Sequence, residues 1–289
     1  MDELSEVTDT TANTVITAAS IRMPRILYGT AWKKDLTEAL VGVAIRCGFR
    51  GVDTACQPKH YHEAGVGAAV AACIASGVPR KELFLQTKFT PVSGQDPTRI
   101  PYDPRASLAD QVAQSFDVSL RNLQTHYVDS LVLHSPYPRD EQTFEVWRAL
   151  EELVSRGSVR QLGISNCYSL DTLKTLHGGS RIKPAVVQNR FHTETGYDRQ
   201  LRGFCREQGI VYQSFWTLTA NRKLLADEAV QSLATAYGRT PEQILFRYLT
   251  QMDVVPLTGT TSESHMSEDL AIFDFELSAT ELKAVTALL

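Results

Sequence analysis

The chain lacks most of what would commit it to a membrane, a nucleic acid or the cell exterior. No apolar run approaches the roughly 20 residues that a membrane-spanning helix needs. There is no basic surplus: 29 Lys and Arg stand against 33 Asp and Glu, for a formal charge of -4. That balance excludes a polyphosphate backbone or an anionic bilayer as the main partner. The five cysteines, Cys47, Cys56, Cys73, Cys167 and Cys205, are scattered, odd in number and without a close pair. They read as reduced thiols, not as a disulfide framework or a zinc site. The opening "MDELSEVTDTTANT" is acidic and polar, without the basic and apolar regions of a secretory signal, so a cytoplasmic location is expected. No G-x-S-x-G elbow is present, which removes the usual serine nucleophile. "GVGAAV" at 65–70 lacks the third glycine of a dinucleotide fingerprint and does not leave a strand directly, so it is set aside.

What remains is ordinary globular composition, 43% hydrophobic and 21% charged over 289 residues, with no low-complexity stretch or Gly/Ser linker to divide it. Residues 1–20 read as a loosely held extension and 21–289 as one domain. Within that domain, apolar β-branched runs alternate with stretches of helical period. The runs are "RILYG" (25–29), "GFRGVD" (48–53), "LFLQTK" (83–88), "VDSLVLH" (128–134), "VRQLGIS" (159–165), "AVVQN" (185–189), "IVYQSF" (210–215) and "VVPL" (254–257). Near-continuous apolarity is expected of strands buried on both faces. The helical stretch after the first run, with Asp35 as the expected N-cap, stops at Gly48. Strand and helix in eightfold alternation predict an α/β fold, a single-domain (β/α)8 TIM barrel, with an open doubly wound sheet as the alternative.

The strands end in residues that core packing does not explain. The second ends in Asp53, the third in Lys88 and the fourth in His134; the fifth runs into Ser165 and Asn166. The sixth carries Gln188 and Asn189, and the seventh leads into Phe215 and Trp216. Singly, each has a bland reading: a turn aspartate, a snorkelling lysine, a rim histidine. Together, at consecutive strand ends, they would meet at one mouth of a closed barrel, where such folds keep their chemistry. His60 and His62 flank Tyr61, but no third ligand stands at a usual spacing, so no metal site is expected.

If Asp53, Tyr61, Lys88 and His134 converge, Tyr61 becomes a candidate acid. A phenol has a reference pKa of about 10. An ammonium about 4 Å away, at an effective dielectric of roughly 20, is worth on the order of 4 kcal/mol in favour of the phenolate, opposed by desolvation. Asp53 would keep Lys88 charged, and His134 would orient a substrate oxygen. With no strong nucleophile or metal cluster, the reducing equivalents must come from a cofactor.

This set of residues resembles that of the aldo-keto reductases, and the resemblance extends from about Ile26 to Leu282. It rests on "YGTAWK", "GVDTA…HYHEAGVG", "LFLQTKF", "DSLVLHSP", "VRQLGISN", "AVVQNRF", "GIVYQSFWTL" and "VVPLTGTTSESHMSEDL", and is nearest to the fungal branch. The resemblance implies a barrel that binds nicotinamide dinucleotide across its C-terminal face and reduces an aldehyde or ketone. It assigns Asp53, Tyr61, Lys88 and His134 to catalysis, with Tyr61 the acid. Ser165, Asn166 and Gln188 fall at the positions that bind the nicotinamide carboxamide. Phe215 takes the place of the usual stacking tyrosine, with Trp216 and Leu218 following it. Thr258, Gly259, Thr260, Thr261, Ser262 and His265 form the phosphate-binding stretch, and Glu268 and Asp269 match adenine-contacting positions.

Two departures bear on specificity. NADPH-preferring members have a Lys and an Arg where this chain has Gly259 and His265; NADPH is the expected cofactor, with NADH or dual use as the alternative. The chain also stops soon after the last helix, whereas "FTPVSGQDPTRIPYDP" at 89–104 is long and reads as a lid. Trp32, Phe89 and Trp216 would line an open pocket suited to a bulky carbonyl substrate. A small-molecule carbonyl partner and a monomer or weak dimer are expected. Two other functions compete: a cofactor-binding sensor subunit with negligible turnover, and a cofactor-free lyase or isomerase using Lys88 as a Schiff-base nucleophile.

Overall fold

All eight apolar runs form strands in the computed structural model, which describes residues 13–289. In chain order the strands are β1 (Thr14–Ile16), β2 (Arg22–Pro24), β3 (Leu27–Gly29), β4 (Gly51–Asp53), β5 (Phe84–Phe89), β6 (Ser130–Leu133), β7 (Leu162–Ser165), β8 (Val186–Arg190), β9 (Val211–Phe215) and β10 (Val254–Thr258). β3 to β10 pair in parallel and close, β10 against β3, into a barrel. An open sheet is thereby excluded. No helix among the described residues is long and apolar enough to cross a membrane.

Two cores follow from strand alternation. Outside the barrel, strand residues such as Val52, Leu85, Leu131 and Ile164 pack against the surrounding helices. Inside its lower half, Leu27, Phe84, Val186, Val211 and Val255 form a separate cluster completed by Met23. Met23 belongs to β2, which pairs antiparallel with β1 through Thr14↔Pro24 and Ile16↔Arg22. The Thr17 hydroxyl reaches Gln161 at 2.7 Å, tying this hairpin to the barrel floor. A boundary at residue 20 would cut the hairpin, so residues 14–20 are a plug and not a loose extension; residues 1–12 lie outside the described part. Strands of three residues are too short to announce themselves as a periodic run.

The helices Thr37–Cys47, Glu63–Ala75, Leu108–Leu123, Asp140–Ser155, Leu170–Gly179 and Arg199–Glu207 follow successive strands. Glu228–Tyr237 and Pro241–Gln251 follow β9, and Glu263–Leu270 and Ala279–Thr286 follow β10. Thr240 makes a capping box with Gln243 ahead of Pro241, and Ser107 caps the helix that it precedes. Asp35 is not a cap: it sits within a 3-10 turn, Lys34–Leu36, and the helix proper starts after Leu36 without a side-chain cap. Gly48 does end that helix, at φ 118°, where other residues are strained.

Gly67 sets the approach of two helices. A Cβ there would stand 1.9 Å from the Asn122 carbonyl oxygen and 2.8 Å from Leu123 Cα, both backbone atoms that cannot swing aside. Gly67→Ala is therefore expected to destabilise by at least about 2 kcal/mol, read as a lowered urea midpoint; an unchanged midpoint would contradict this packing.

Candidate active site

The strand-end residues converge on a cavity of about 1070 Å³ at the barrel mouth. At its floor Lys88, fully buried on β5, donates to Asp53 Oδ2 at 2.6 Å and to the Thr54 carbonyl at 2.8 Å. Burial pushes the Lys88 pKa down, and the Asp53 carboxylate pulls it back up. Breaking such a pair typically costs about 3–5 kcal/mol, because the survivor is left charged and unpartnered.

The other oxygen of Asp53 is held by an amide network. Gln86 and Gln188 each donate to Oδ1, at 2.8 and 3.0 Å. Both also donate to Gln213 Oε1, at 2.7 and 2.9 Å, and Gln213 returns a bond to Gln86 at 3.1 Å. These polar groups in the barrel interior are thus paired, as burial demands. Gln188 spends its amide nitrogen here, leaving Oε1 without a protein partner among the described residues. Gln86 and Gln213 were missed in the sequence, although Gln86 lies two residues before Lys88 and so shares its face of the strand.

Tyr61 lies beside the ion pair. Its ring centroid is 5.1 Å from Lys88 Nζ and 6.1 Å from the centroid of the His134 ring. The side chain borders the cavity while protein crowds it on the other sides. Burial, with the Asp53 charge adding to it, holds the phenol above its ordinary pKa. The expected downward pull from Lys88 therefore does not win: the ammonium is neutralised by Asp53 at contact distance, and desolvation dominates. Glu63, two residues on, anchors this segment from outside the barrel, accepting from Thr87 at 2.5 Å and Asn122 at 3.1 Å.

His134 follows β6 directly, and its Nδ1 meets the Thr90 hydroxyl at 2.6 Å. Burial first, then the Lys88 and His60 charges, depress its pKa well below the ordinary value, so the ring is neutral. Thr90, which the sequence did not flag, opens the 89–104 segment. That segment is pinned more than lid-like: Tyr102 donates to the Thr90 carbonyl at 2.7 Å, Gln95 to Cys56 O at 3.0 Å, and Gln57 to Gly94 O at 2.6 Å. Phe89 is not a pocket residue. It alternates away from Lys88, is buried in the outer core and packs on Tyr102 at 5.6 Å.

From this end the cavity runs past Ser165, Asn166 and Gln188, along Phe215, Trp216 and Leu218, to Thr258, Gly259, Thr260, His265, Glu268 and Asp269. Ser165 donates to the Gln188 carbonyl at 2.7 Å, and Asn166 donates to the His134 carbonyl at 2.8 Å. Trp32, Asn166 and Trp216, which line the cavity, adopt left-handed φ of 65°, 51° and 56°. Asparagine tolerates that region, whereas the two tryptophans are strained in it. Trp32 stacks on His60 at 4.0 Å, and the Arg190 guanidinium lies 4.1 Å over the Trp216 ring. Thr261 and Ser262 do not line the cavity: Thr261 is exposed, and the Ser262 hydroxyl caps the Glu263–Leu270 helix and pairs with Ser264 at 2.7 Å.

Asp269 is buried, accepts from Thr258 at 2.6 Å and has its pKa raised by burial to about 7 from 3.8. A raised carboxyl contributes stability that is complete below the unfolded pKa and lost as pH rises through the folded one. Asp269→Asn is thus expected to raise the denaturation midpoint most at about pH 8, with the gain shrinking towards about pH 5. A gain that grows on acidification would contradict this.

The Aldo/keto reductase family model matches residues 26–289. The chain is 31% identical to a glyoxal reductase of Bacillus subtilis (strain 168), covering 93% of this chain and 90% of that protein. It is 30% identical to a methylglyoxal reductase of Yersinia pestis, over 92% and 89%. A crystal structure of an aldo/keto reductase from Brucella melitensis superposes with a TM-score of 0.80 at 29% identity, over 95% of this chain and 98% of that one. Barrel and sequence agree, and the chain belongs to the aldo/keto reductase family.

Proposed function

We propose that this protein is an NAD(P)H-dependent reductase that converts an aldehyde or ketone to an alcohol, with Tyr61 the proton donor. The observation that carries this reading is the convergence of Tyr61, the Lys88–Asp53 pair and neutral His134 at one end of a long groove. The groove fits an extended dinucleotide on its own chemistry. Gln188 Oε1 has no protein partner among the described residues and faces the catalytic end, Phe215 offers an aromatic face, and Thr258, Gly259 and Thr260 line the far end. Ser165, Asn166 and Gln188 would hold the carboxamide, Phe215, Trp216 and Leu218 the middle, and Thr258, Gly259, Thr260, His265, Glu268 and Asp269 the far end. When bound, the nicotinamide supplies hydride to the carbonyl carbon.

The chain's own residues manage the oxygen. His134, neutral and fixed by Thr90, orients it by hydrogen bonding. Tyr61 is protonated at rest and is still a stronger acid than the product alcohol, so its proton moves to the alkoxide oxygen as that forms. Lys88 stabilises the phenolate left behind, and Asp53 keeps Lys88 charged while the glutamines hold Asp53. The relatives named for glyoxal and methylglyoxal reduction make small dicarbonyls the first substrates to test. The exposed Trp32 and Trp216 at the rim support acceptance of bulkier carbonyls too. NADPH is the proposed reductant, with NADH as the second candidate.

Consumption of NADPH absorbance with methylglyoxal and with a bulky aromatic aldehyde separates this from a sensor that binds nucleotide without turnover. Tyr61→Phe is expected to lower reduction by about 100-fold to 10,000-fold, while nucleotide binding, read by fluorescence quenching, stays near wild type. Equal loss of both would make Tyr61 part of the cofactor site and sink its role as acid.

A further inference from the structure

Gln86 and Gln213 are fully buried and line no part of the cavity, so neither can touch a ligand. Their hydrogen bonds nevertheless run unbroken to a side chain that can: Gln188, which lines the cavity and whose Oε1 has no protein partner among the described residues. An amide has a donor end and an acceptor end, so every link in this circuit has a sense, and an ionised carboxylate can only accept. Asp53, in contact with Lys88 Nζ at 2.6 Å, therefore obliges Gln86 and Gln188 to turn their nitrogens to Oδ1, at 2.8 and 3.0 Å. With those nitrogens turned inward, Gln213 must offer its oxygen to both, at 2.7 and 2.9 Å. Its own nitrogen is left to donate to Gln86 Oε1 at 3.1 Å and to Met23 Sγ at 3.3 Å.

Reversing one of these amides alone would set oxygen against oxygen or nitrogen against nitrogen, in an interior where unpaired polar atoms are costly. Reversing all three together keeps every link among them, provided that residue 53 donates where it now accepts. The circuit thus has two self-consistent senses, and the chemistry at residue 53 selects between them. In the observed sense Gln188 shows the cavity an acceptor; in the other it would show an NH2 group.

We propose that Asp53 has a second task beside holding Lys88: it fixes the sense of the amide circuit, so that Gln188 Oε1 accepts from the carboxamide NH2 of the nicotinamide. Gln86 and Gln213 are positioning residues that keep the sense uniform. This rests on the dinucleotide reading above. One carboxylate then serves both halves of the site, Oδ2 facing the lysine and Oδ1 the amides. The site accordingly prefers a pyridine nucleotide whose ring substituent donates a hydrogen bond over one whose substituent can only accept.

The test is equilibrium titration, followed by quenching of tryptophan fluorescence, with NADP+ and with its acetylpyridine analogue, in which a methyl group replaces the carboxamide NH2 and the carbonyl stays. Wild type should bind NADP+ more tightly by about threefold to tenfold. In Asp53→Asn the side-chain oxygen stays with Lys88, which can only donate, and the new NH2 turns to Gln86 and Gln188. The circuit then reverses, and the preference should vanish or invert. Gln86→Met removes an equally buried amide but leaves Asp53 to accept from Gln188, so the preference should survive. No preference in wild type, a preference unchanged in Asp53→Asn, or one lost equally in Gln86→Met would overturn the proposal. Should Asp53→Asn not fold, the sense is read in wild type: the Gln188 side-chain NH2 protons, assigned by NMR against Gln188→Met, should exchange slowly with water, and rapid exchange would overturn it. Failure of wild type to bind either nucleotide would instead refute the dinucleotide site itself.

Discussion

The site depends on one buried ion pair. Lys88 and Asp53 sit 2.6 Å apart with almost no solvent access, an arrangement that would cost the fold stability were either partner bare. The barrel accommodates it by placing side-chain amides in its interior where apolar layers would otherwise continue. Gln86, Gln188 and Gln213 come from three strands, and register brings two of them opposite each other, Gln188↔Gln213. Below them Phe84, Val186, Val211 and Met23 fill the space in the ordinary apolar way. The change from apolar to polar along the barrel axis marks where packing stops and chemistry begins.

That pair also sets the state of Tyr61. An ammonium alone would drag a phenol towards ionisation; an ammonium already neutralised at contact leaves desolvation in control. The phenol therefore rests protonated beside a cation, as the proposed role of Tyr61 as proton donor requires. His134 is held neutral by the same crowding, and its Nδ1 meets the Thr90 hydroxyl, which suits the orienting role proposed for it. The groove then carries charge unevenly: its catalytic end is balanced, and its far wall bears Glu268 and Asp269.

Much of this was legible in the sequence, for a physical reason. Strands buried on both faces must be apolar throughout, so an Asp, Lys or His closing such a run stands out, and Asp53, Lys88 and His134 were found that way. Phe89 misled because it adjoins Lys88 in sequence, whereas pleating turns neighbours to opposite faces. The hairpin of Thr14–Ile16 and Arg22–Pro24 is too short for periodicity to reveal. Thr90 and Arg190 escaped because their contacts, with His134 and Trp216, join segments far apart in the chain. The sign of the Tyr61 shift escaped for a related reason: it depends on how closely Asp53 shields Lys88, which only coordinates give.

The most direct measurement is the ionisation of Tyr61 itself, from the tyrosinate absorbance of wild type minus that of Tyr61→Phe as pH is raised in the free protein. The account predicts no Tyr61 phenolate until pH passes the ordinary phenol value of about 10. A tyrosinate signal that appears near neutrality and vanishes with Tyr61→Phe would contradict it.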